Sequence, residues 1–186
     1  MSQIDDRSMA LYMAQILDQT DRHDDTVGLM KRVVELNPQL NSEERNLLSA
    51  AYKNVIDIHR NGLRILAAIS EHKEGSASQN RVEQINKIRD QIVEELEKSC
   101  NELISIITTK LLPIAQDAES RVFYEKLKAD YYRYMCEART GEARNECMQK
   151  AKESYESALE IAEKELNRAR PSYLGLILNY TVFLQE

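Results

Sequence analysis

Apolar residues recur along this chain at the three-to-four-residue spacing of amphipathic helices. The clearest stripe predicts one buried helix face, and it consists of Leu48, Ala51, Val55, Ile58, Gly62, Ile65 and Ile69. The β-branched cluster around Ile106 would also suit a strand, but it lies inside a longer helical pattern and Ser105 interrupts it. Helix is therefore the predicted state of the whole pattern.

Short polar breaks divide the pattern into helical segments. After Asn37 and Pro38, Asn41 can cap a helix and Glu44 can reach back to it. The other breaks lie at residues 75–78, at Pro113 with 116–120, at 140–142 and at 168–172. The predicted helices cover roughly residues 3–20, 24–36, 42–73, 79–114, 120–139, 144–168 and 171–186. Short connections favour antiparallel neighbours, so we expect an all-α stack of helical hairpins forming a single domain over residues 1–186.

Composition excludes several classes of function. A net charge of −6 and a pI near 5.3 argue against nucleic-acid binding through a basic surface. No apolar run approaches the roughly 20 residues that span a bilayer, and the first residues do not resemble a signal peptide. The 3 cysteines lack CxxC spacing and the 3 histidines are scattered, so no metal site or cofactor is predicted. We expect a cytoplasmic protein with no membrane or nucleic-acid partner.

Two of the predicted helices carry cationic faces. Lys53 and Arg60 are seven residues apart and therefore share one face of the third helix. The fifth helix has a polar stripe that consists of Lys126, Asp130, Arg133 and Tyr134. The last helix has an apolar face with one amide, made of Gly175, Leu178, Asn179 and Val182. If these faces converge, they form a groove with a cationic floor and an apolar wall.

Such a groove has the chemistry to bind a phosphorylated peptide. Arginine forks, a lysine and a tyrosine hydroxyl match phosphate oxygens, and an asparagine side chain can bind the backbone of an extended peptide. Spacing alone leaves two simpler alternatives open. The cations could form an ordinary solvated helix face, and Asn179 could be a satisfied polar group inside a helical bundle.

Three long segments, in order along the chain, resemble the 14-3-3 protein family. ERNLLSAAYKNV at residues 44–55, followed by Arg60, looks like the third helix of that family. RVFYEKLKADYYRY at 121–134 resembles its fifth helix, and LGLILNYTVF at 174–183 resembles its seventh. The resemblance implies an all-α 14-3-3 fold with a concave groove. It also implies an adaptor, not an enzyme, that binds phosphoserine and phosphothreonine segments of client proteins and regulates signalling.

The resemblance also assigns roles to individual residues. Phosphate binding falls to Lys53, Arg60, Arg133 and Tyr134. Peptide binding falls to Lys126, Gly175, Leu178, Asn179 and Val182. Because the family continues with two more helices, the resemblance implies that the domain over residues 1–186 is incomplete at its C-terminal end.

A homodimer or heterodimer is implied as well, because the family usually works as a dimer. The positions that match the dimer interface are Ile16, Arg22, Asp25, Gly62, Ile88, Gln91 and Glu95. Arg22 and Glu95 keep the residue types of a pair between chains, whereas Gln91 stands where the family has the lysine partner of Asp25. We therefore expect a dimer with altered contacts.

Two other functions fit parts of the sequence. Residues 155–162 look faintly like the second helix of a tetratricopeptide unit, which would make the chain a helical scaffold for unmodified peptides. No repeat of about 34 residues supports that alternative. An enzyme is a weaker alternative, because the candidate groups Lys126, Asp130 and Tyr134 contain no nucleophile–base pair.

Overall fold

The computed structural model describes residues 3–71 and 79–186, and within these ranges the chain is helical with no β-strand. The α-helices are α1 (Gln3–Gln19), α2 (His23–Leu36), α3 (Ser42–Glu71), α4 (Gln79–Ile106), α5 (Ala118–Ala138), α6 (Gly141–Glu165) and α7 (Pro171–Phe183). The all-α prediction is confirmed, while the predicted break at residues 75–78 lies outside the described residues. None of the described helices is both long and apolar enough to cross a lipid bilayer.

Helices that follow one another in sequence pack against each other, as the short connections predict. α1 packs on α2, α3 on α4 and α5 on α6, while α2 also contacts α3 and α4 contacts α5. α7 lies against both α5 and α6, and α3 reaches α5 directly. The three helices that were predicted to carry the groove, α3, α5 and α7, therefore meet around α5.

The start of α3 is held by the predicted capping pair and by a cation from α1. The Glu44 backbone N–H donates to Asn41 Oδ1 at 3.0 Å, and the Asn41 N–H donates to Glu44 Oε2 at 2.9 Å. Each residue thus satisfies a backbone donor that the first helical turn would otherwise leave unpaired. Glu44 also accepts two hydrogen bonds from the Arg7 guanidinium, at 2.8 and 3.1 Å, which joins α1 to α3.

The predicted helix over residues 79–114 changes geometry before its end. α4 is regular through Ile106, after which a π-helical turn spans Ile107–Leu111 and a 3₁₀ turn spans Leu112–Ile114. Pro113 has no N–H, and its ring clashes with the carbonyl four residues earlier, so a regular α-helix does not continue through it. Ile107 and Leu111 are nevertheless fully buried, and the altered turns still contribute to the core.

Three other helix boundaries differ from the prediction by three residues. α6 begins at Gly141, before the predicted residue 144, and ends at Glu165, before the predicted residue 168. α7 ends at Phe183, before the predicted residue 186. Gly141 has a φ of +60°, which glycine adopts without the steric cost that a side chain would add. This conformation allows α6 to start after only two intervening residues.

The buried side chains form two clusters. The larger cluster joins α1 to α5 and includes Leu48 of α3 and Leu103 of α4. The smaller cluster joins α5, α6 and α7, and includes Tyr155 and Phe183, whose rings lie 5.3 Å apart between centres. α5 contributes to both clusters and is therefore the helix on which the two halves of the chain meet.

The predicted buried stripe of α3 is wrong at two exposed positions, and Gly62 and Ile69 are only half-buried. Its first three members are buried as predicted: Leu48, Ala51 and Val55. Ile58, however, is 62% exposed and Ile65 is 52% exposed. The core side of α3 also includes the fully buried Tyr52 and Ile56. At about 100° per residue, Ile58 lies only about 20° from the fully buried Ala51, so it shares that helix face and is exposed because the chain's own core does not extend along α3 as far as Ile58.

We expect Glu44→Gln to lower the free energy of unfolding by about 1–3 kcal/mol at neutral pH, because Arg7 would lose its charged acceptor. Burial alone would raise the pKa of Glu44, but the hydrogen bonds from Arg7 and from the Asn41 N–H hold the pKa below its usual value. A depressed folded-state pKa means that the stabilisation is present above the unfolded pKa of about 4.3 and is lost as pH falls through the folded value. Urea unfolding at neutral and acidic pH measures both effects.

The control for this experiment is Glu43→Gln, which neutralises an exposed carboxylate in the same first turn of α3. This variant should be close to wild type at both pH values. Equal losses in the two variants at neutral pH would contradict the stabilising role of Glu44.

Candidate functional site

The centre of the site is Asp130, a buried carboxylate in α5. It accepts hydrogen bonds from Lys126 Nζ at 2.7 Å, from the Tyr155 hydroxyl at 2.5 Å and from Asn179 Nδ2 at 2.8 and 2.9 Å. Burial, and then the neighbouring Asp130, raises the pKa of Tyr155 well above its usual value, so the hydroxyl keeps the proton that it donates. Because a buried carboxylate needs such partners, Asp130 fixes α6 and α7 against α5.

Arg60 of α3 reaches across to α5. Its Nε and Nη2 donate to Glu137 at 2.9 and 2.6 Å, a two-bond arrangement that fixes the plane of the guanidinium group. The guanidinium carbon lies 4.3 Å from the centre of the Tyr134 ring, within the range of a cation–π contact. Burial alone would lower the pKa of Arg60, but the hydrogen bond and charge of Glu137 raise it, so this side chain stays protonated.

Arg133 approaches the same aromatic ring from α5 itself. Its guanidinium carbon lies 4.9 Å from the ring centre of Tyr134, and its Nη1 donates to Glu186 at 2.9 Å. Burial raises the pKa of Tyr134 to about 12, so its phenol is neutral near neutral pH and can donate a hydrogen bond. Two arginines on different helices therefore share one neutral phenol ring.

Lys53 joins this group through a shared carboxylate. Its Nζ pairs with Asp57 one turn further along α3, and Asp57 Oδ1 accepts from Arg60 Nη1 at 3.1 Å. The structure thus links Lys53, Arg60, Arg133 and Tyr134 into one group, here called the cationic cluster.

α7 provides the apolar wall. Leu178 and Val182 are exposed, although both are large apolar residues. Gly175 lies beside Lys126, and a Cβ at this glycine would stand 3.9 Å from the lysine Cε, an ordinary contact. The Nδ2 of Asn179 already donates to the buried carboxylate of α5. All five predicted peptide-binding residues therefore belong to one continuous region of α5 and α7.

A sequence model of the 14-3-3 protein family matches residues 13–186. The chain belongs to the 14-3-3 family. It is 40% identical over 181 residues to 14-3-3-like protein GF14 iota of Arabidopsis thaliana, which covers 97% of this chain and 68% of that protein. It is 38% identical over 183 residues to 14-3-3 protein eta of Homo sapiens, covering 97% and 74%. It is 39% identical over 173 residues to 14-3-3-like protein 2 of Caenorhabditis elegans, covering 93% and 69%.

Membership places this 14-3-3 chain among non-enzymatic adaptors that bind client proteins and form dimers. The faint tetratricopeptide likeness of residues 155–162 falls inside α6, which packs on α5 and α7 in the 14-3-3 fold.

Three residues of the site were missed by reasoning from the sequence. Asp57 could have been found, because it lies four residues after Lys53 and three before Arg60, both helical spacings. Neither Glu137 nor Tyr155 has its partner at a helical spacing in the sequence, so no local pattern indicates their roles. Glu137 pairs with a residue 77 positions away, and Tyr155 with one 25 positions away, so only the tertiary fold brings them in.

The predicted dimer residues of this 14-3-3 chain lie on α1 to α4. Ile16 and Ile88 are exposed apolar side chains. Arg22 pairs with Asp25 inside the chain, and Glu95 lies 3.7 Å from His59, so the predicted Arg22–Glu95 pair between chains would have to form beside these contacts. Gln91 is exposed, and a Cβ at Gly62 would meet Ile92 of the same chain at 3.3 Å.

The cysteines of this chain are part of its core. The three cysteines are buried free thiols, and burial raises the pKa of Cys136 to about 12, which leaves it protonated near neutral pH. No group of His, Cys, Asp and Glu side chains within residues 3–71 and 79–186 is arranged to hold a metal ion.

We expect Asp130→Ala to lower the free energy of unfolding by about 1–3 kcal/mol, because it leaves the hydroxyl of the fully buried Tyr155 without its acceptor. Asp130→Asn keeps one carbonyl oxygen as an acceptor, so it should lower the free energy of unfolding by less than Asp130→Ala. Thermal unfolding followed by circular dichroism measures both, with Asp90→Ala, an exposed carboxylate on α4, as the control. Wild-type stability in Asp130→Ala would show that the carboxylate does not hold the three helices together.

Proposed function

We propose that this 14-3-3 protein binds phosphoserine or phosphothreonine segments of client proteins in the groove between α3, α5 and α7, and so acts as a signalling adaptor. The observation that carries the proposal is the meeting of Arg60 and Arg133 at the ring of Tyr134. The two guanidinium groups come from different helices, so an anion between them can accept donors from two directions.

A phosphate group suits the cationic cluster better than a neutral side chain. A phosphorylated residue carries about −1.5 to −2 charges at neutral pH and offers three strong acceptor oxygens. The arginine forks, the Lys53 amine and the neutral Tyr134 hydroxyl supply donors for these oxygens. Hydrogen bonds to charged groups contribute roughly 1.5–3 kcal/mol each. Losing one arginine should therefore weaken binding about tenfold or more.

We further propose that the client's main chain follows α7. Since Nδ2 of Asn179 is committed inside the protein, its Oδ1 would accept from a client backbone N–H. Lys126 would bind a client carbonyl from the side of α5. Gly175 leaves room beside that lysine, and the exposed Leu178 and Val182 would contact apolar client side chains.

We expect Arg133→Ala to weaken binding of a fluorescent phosphoserine peptide about tenfold or more, because the phosphate loses one charged fork. Lys53→Ala should weaken it by a smaller factor, since Lys53 is an exposed point charge. Fluorescence anisotropy titrations measure the dissociation constants. Arg32→Ala, which removes an exposed arginine of α2, is the matched control and should leave affinity unchanged.

The unphosphorylated twin of the peptide decides between the two classes of binding protein. The wild-type protein should bind the phosphopeptide at least tenfold more tightly than the twin, given one added group with about −2 charges. Equal affinity for both peptides would replace the proposal by a scaffold that binds unmodified segments.

We also propose that the dimer forms through the surface of Ile16, Arg22, Asp25, Gly62, Ile88, Gln91 and Glu95. Its support is an apolar stripe on α1 made of Met9, Tyr12, Met13 and Ile16, which are all exposed in the single chain. Their spacing of three and four residues places them on one helix face. A contiguous exposed apolar face of this kind is typical of an interaction surface.

We expect Ile16→Glu to raise the dimer dissociation constant about tenfold or more, because a carboxylate would be buried without a partner. The control is Ile114→Glu, which replaces an isoleucine of similar exposure, 40% against 38%, outside α1. Sedimentation velocity over a concentration series gives the constants. A wild-type protein that sediments as a monomer at every concentration would contradict the dimer itself.

A further inference from the structure

Asp57 occupies the donors that the cationic cluster would offer to a phosphate. Its Oδ2 pairs with Lys53 Nζ, and its Oδ1 accepts from Arg60 Nη1 at 3.1 Å. The remaining edge of the Arg60 guanidinium is taken by the two hydrogen bonds to Glu137. In the free protein, three of the five N–H donors of Arg60 are therefore already used, on two edges of the guanidinium group.

The carboxylates offset most of the charge on the α3 side of the cluster. Three cations of α3 (Lys53, Arg60 and Arg64) face two carboxylates, Asp57 and Glu137, so one net positive charge remains. An incoming phosphate cannot simply add to these contacts, because it would stand beside two like charges. To reach all the donors of Arg60, it has to replace one of the carboxylates at the arginine.

Of the two carboxylates, Asp57 is the one that a phosphate would displace more easily. It makes one hydrogen bond to Arg60, whereas Glu137 makes two. Its side chain is also more exposed, at 40% against 28%, so a displaced Asp57 can be solvated by turning away from the helix. Glu137 would remain as the group that orients the guanidinium plane.

We propose that Asp57 is an internal occupant of the anion site, which a client phosphate must displace, and that it thereby weakens phosphate binding and excludes carboxylate ligands. This inference rests on the proposed phosphopeptide function. It assigns a specificity-determining role to a residue that is not itself a donor to the ligand.

The exclusion of carboxylates follows from what each anion can offer. Asp57 is tethered one turn from its cations, so its effective concentration there exceeds that of any free ligand at micromolar levels. A ligand carboxylate has the same charge and the same two oxygens, and therefore gains nothing by replacing it. A phosphate has a third oxygen and more charge, and it can also hydrogen-bond to Arg133 and Tyr134, whereas the described hydrogen bonds of Asp57 go to Lys53 and Arg60 and only its charge acts on Tyr134.

The test compares Asp57→Asn with the wild-type full chain, using two fluorescent peptides. One contains phosphoserine, and in the other glutamate replaces the phosphoserine. Asp57→Asn keeps the shape of the side chain and removes its charge. We expect it to tighten phosphopeptide binding about tenfold, the effect of losing one charged competitor. The affinity for the glutamate peptide should rise by at least the same factor.

The matched control is Glu160→Gln, which neutralises the carboxylate of an exposed i,i+4 pair with Lys164 on α6. It changes the net charge by the same amount as Asp57→Asn but lies outside the cationic cluster, so both affinities should stay at wild-type values. Equal gains in the control and in Asp57→Asn would reduce the effect to net charge and overturn the proposal.

The remaining outcomes are also decisive. Phosphopeptide binding that appears only in Asp57→Asn would support the proposal strongly. Unchanged or weaker phosphopeptide binding in Asp57→Asn, beside tight wild-type binding, would overturn the role of Asp57 and leave the proposed function intact. A gain confined to the phosphopeptide would overturn the exclusion of carboxylates. Absence of phosphopeptide binding in both proteins would overturn the proposed function and this inference together.

Discussion

The buried carboxylate of Asp130 is the constraint on which the groove depends. A charge in the interior is stable only when donors surround it, and here the donors come from three helices: Lys126 of α5, Tyr155 of α6 and Asn179 of α7. Asp130 joins α7 to α5 through Asn179, so it helps to set how closely the apolar face of α7 approaches α5. The same group that stabilises the fold therefore contributes to the spacing of the helices around the proposed groove.

Charge pairing inside the groove extends this principle. Arg60 is bonded to Glu137 and Arg133 to Glu186, so each guanidinium is oriented before any client arrives. Such pairing limits repulsion among neighbouring cations and reduces the side-chain entropy that binding would otherwise remove. If the proposed function holds, client binding would be an exchange of one anion for another. The affinity would then depend on which carboxylates are displaced, and not on the number of cations alone.

Helical spacing was sufficient to predict most of the fold and the face on which each cation lies. The Asn41–Glu44 cap was found for the same reason, since both partners stand within one turn. Glu137 could not be found, because its pairing with Arg60 depends on how two distant helices pack. The end of α4 was also missed: Pro113 marks a break, but not the choice between a loop and altered helical turns.

The error at Ile58 and Ile65 has a different origin. The helical periodicity of the sequence shows which positions are apolar, but it does not show which surface covers them. Both isoleucines are exposed in the single chain, on α3, just as Met9 and Tyr12 are exposed on α1. The 14-3-3 family forms dimers, and a second copy packed across α1 and α3 would bury such residues at once. On this reasoning the apolar pattern of α3 reflects two contacts, one with the chain's own core and one with a partner, and a single stripe in the sequence cannot separate them.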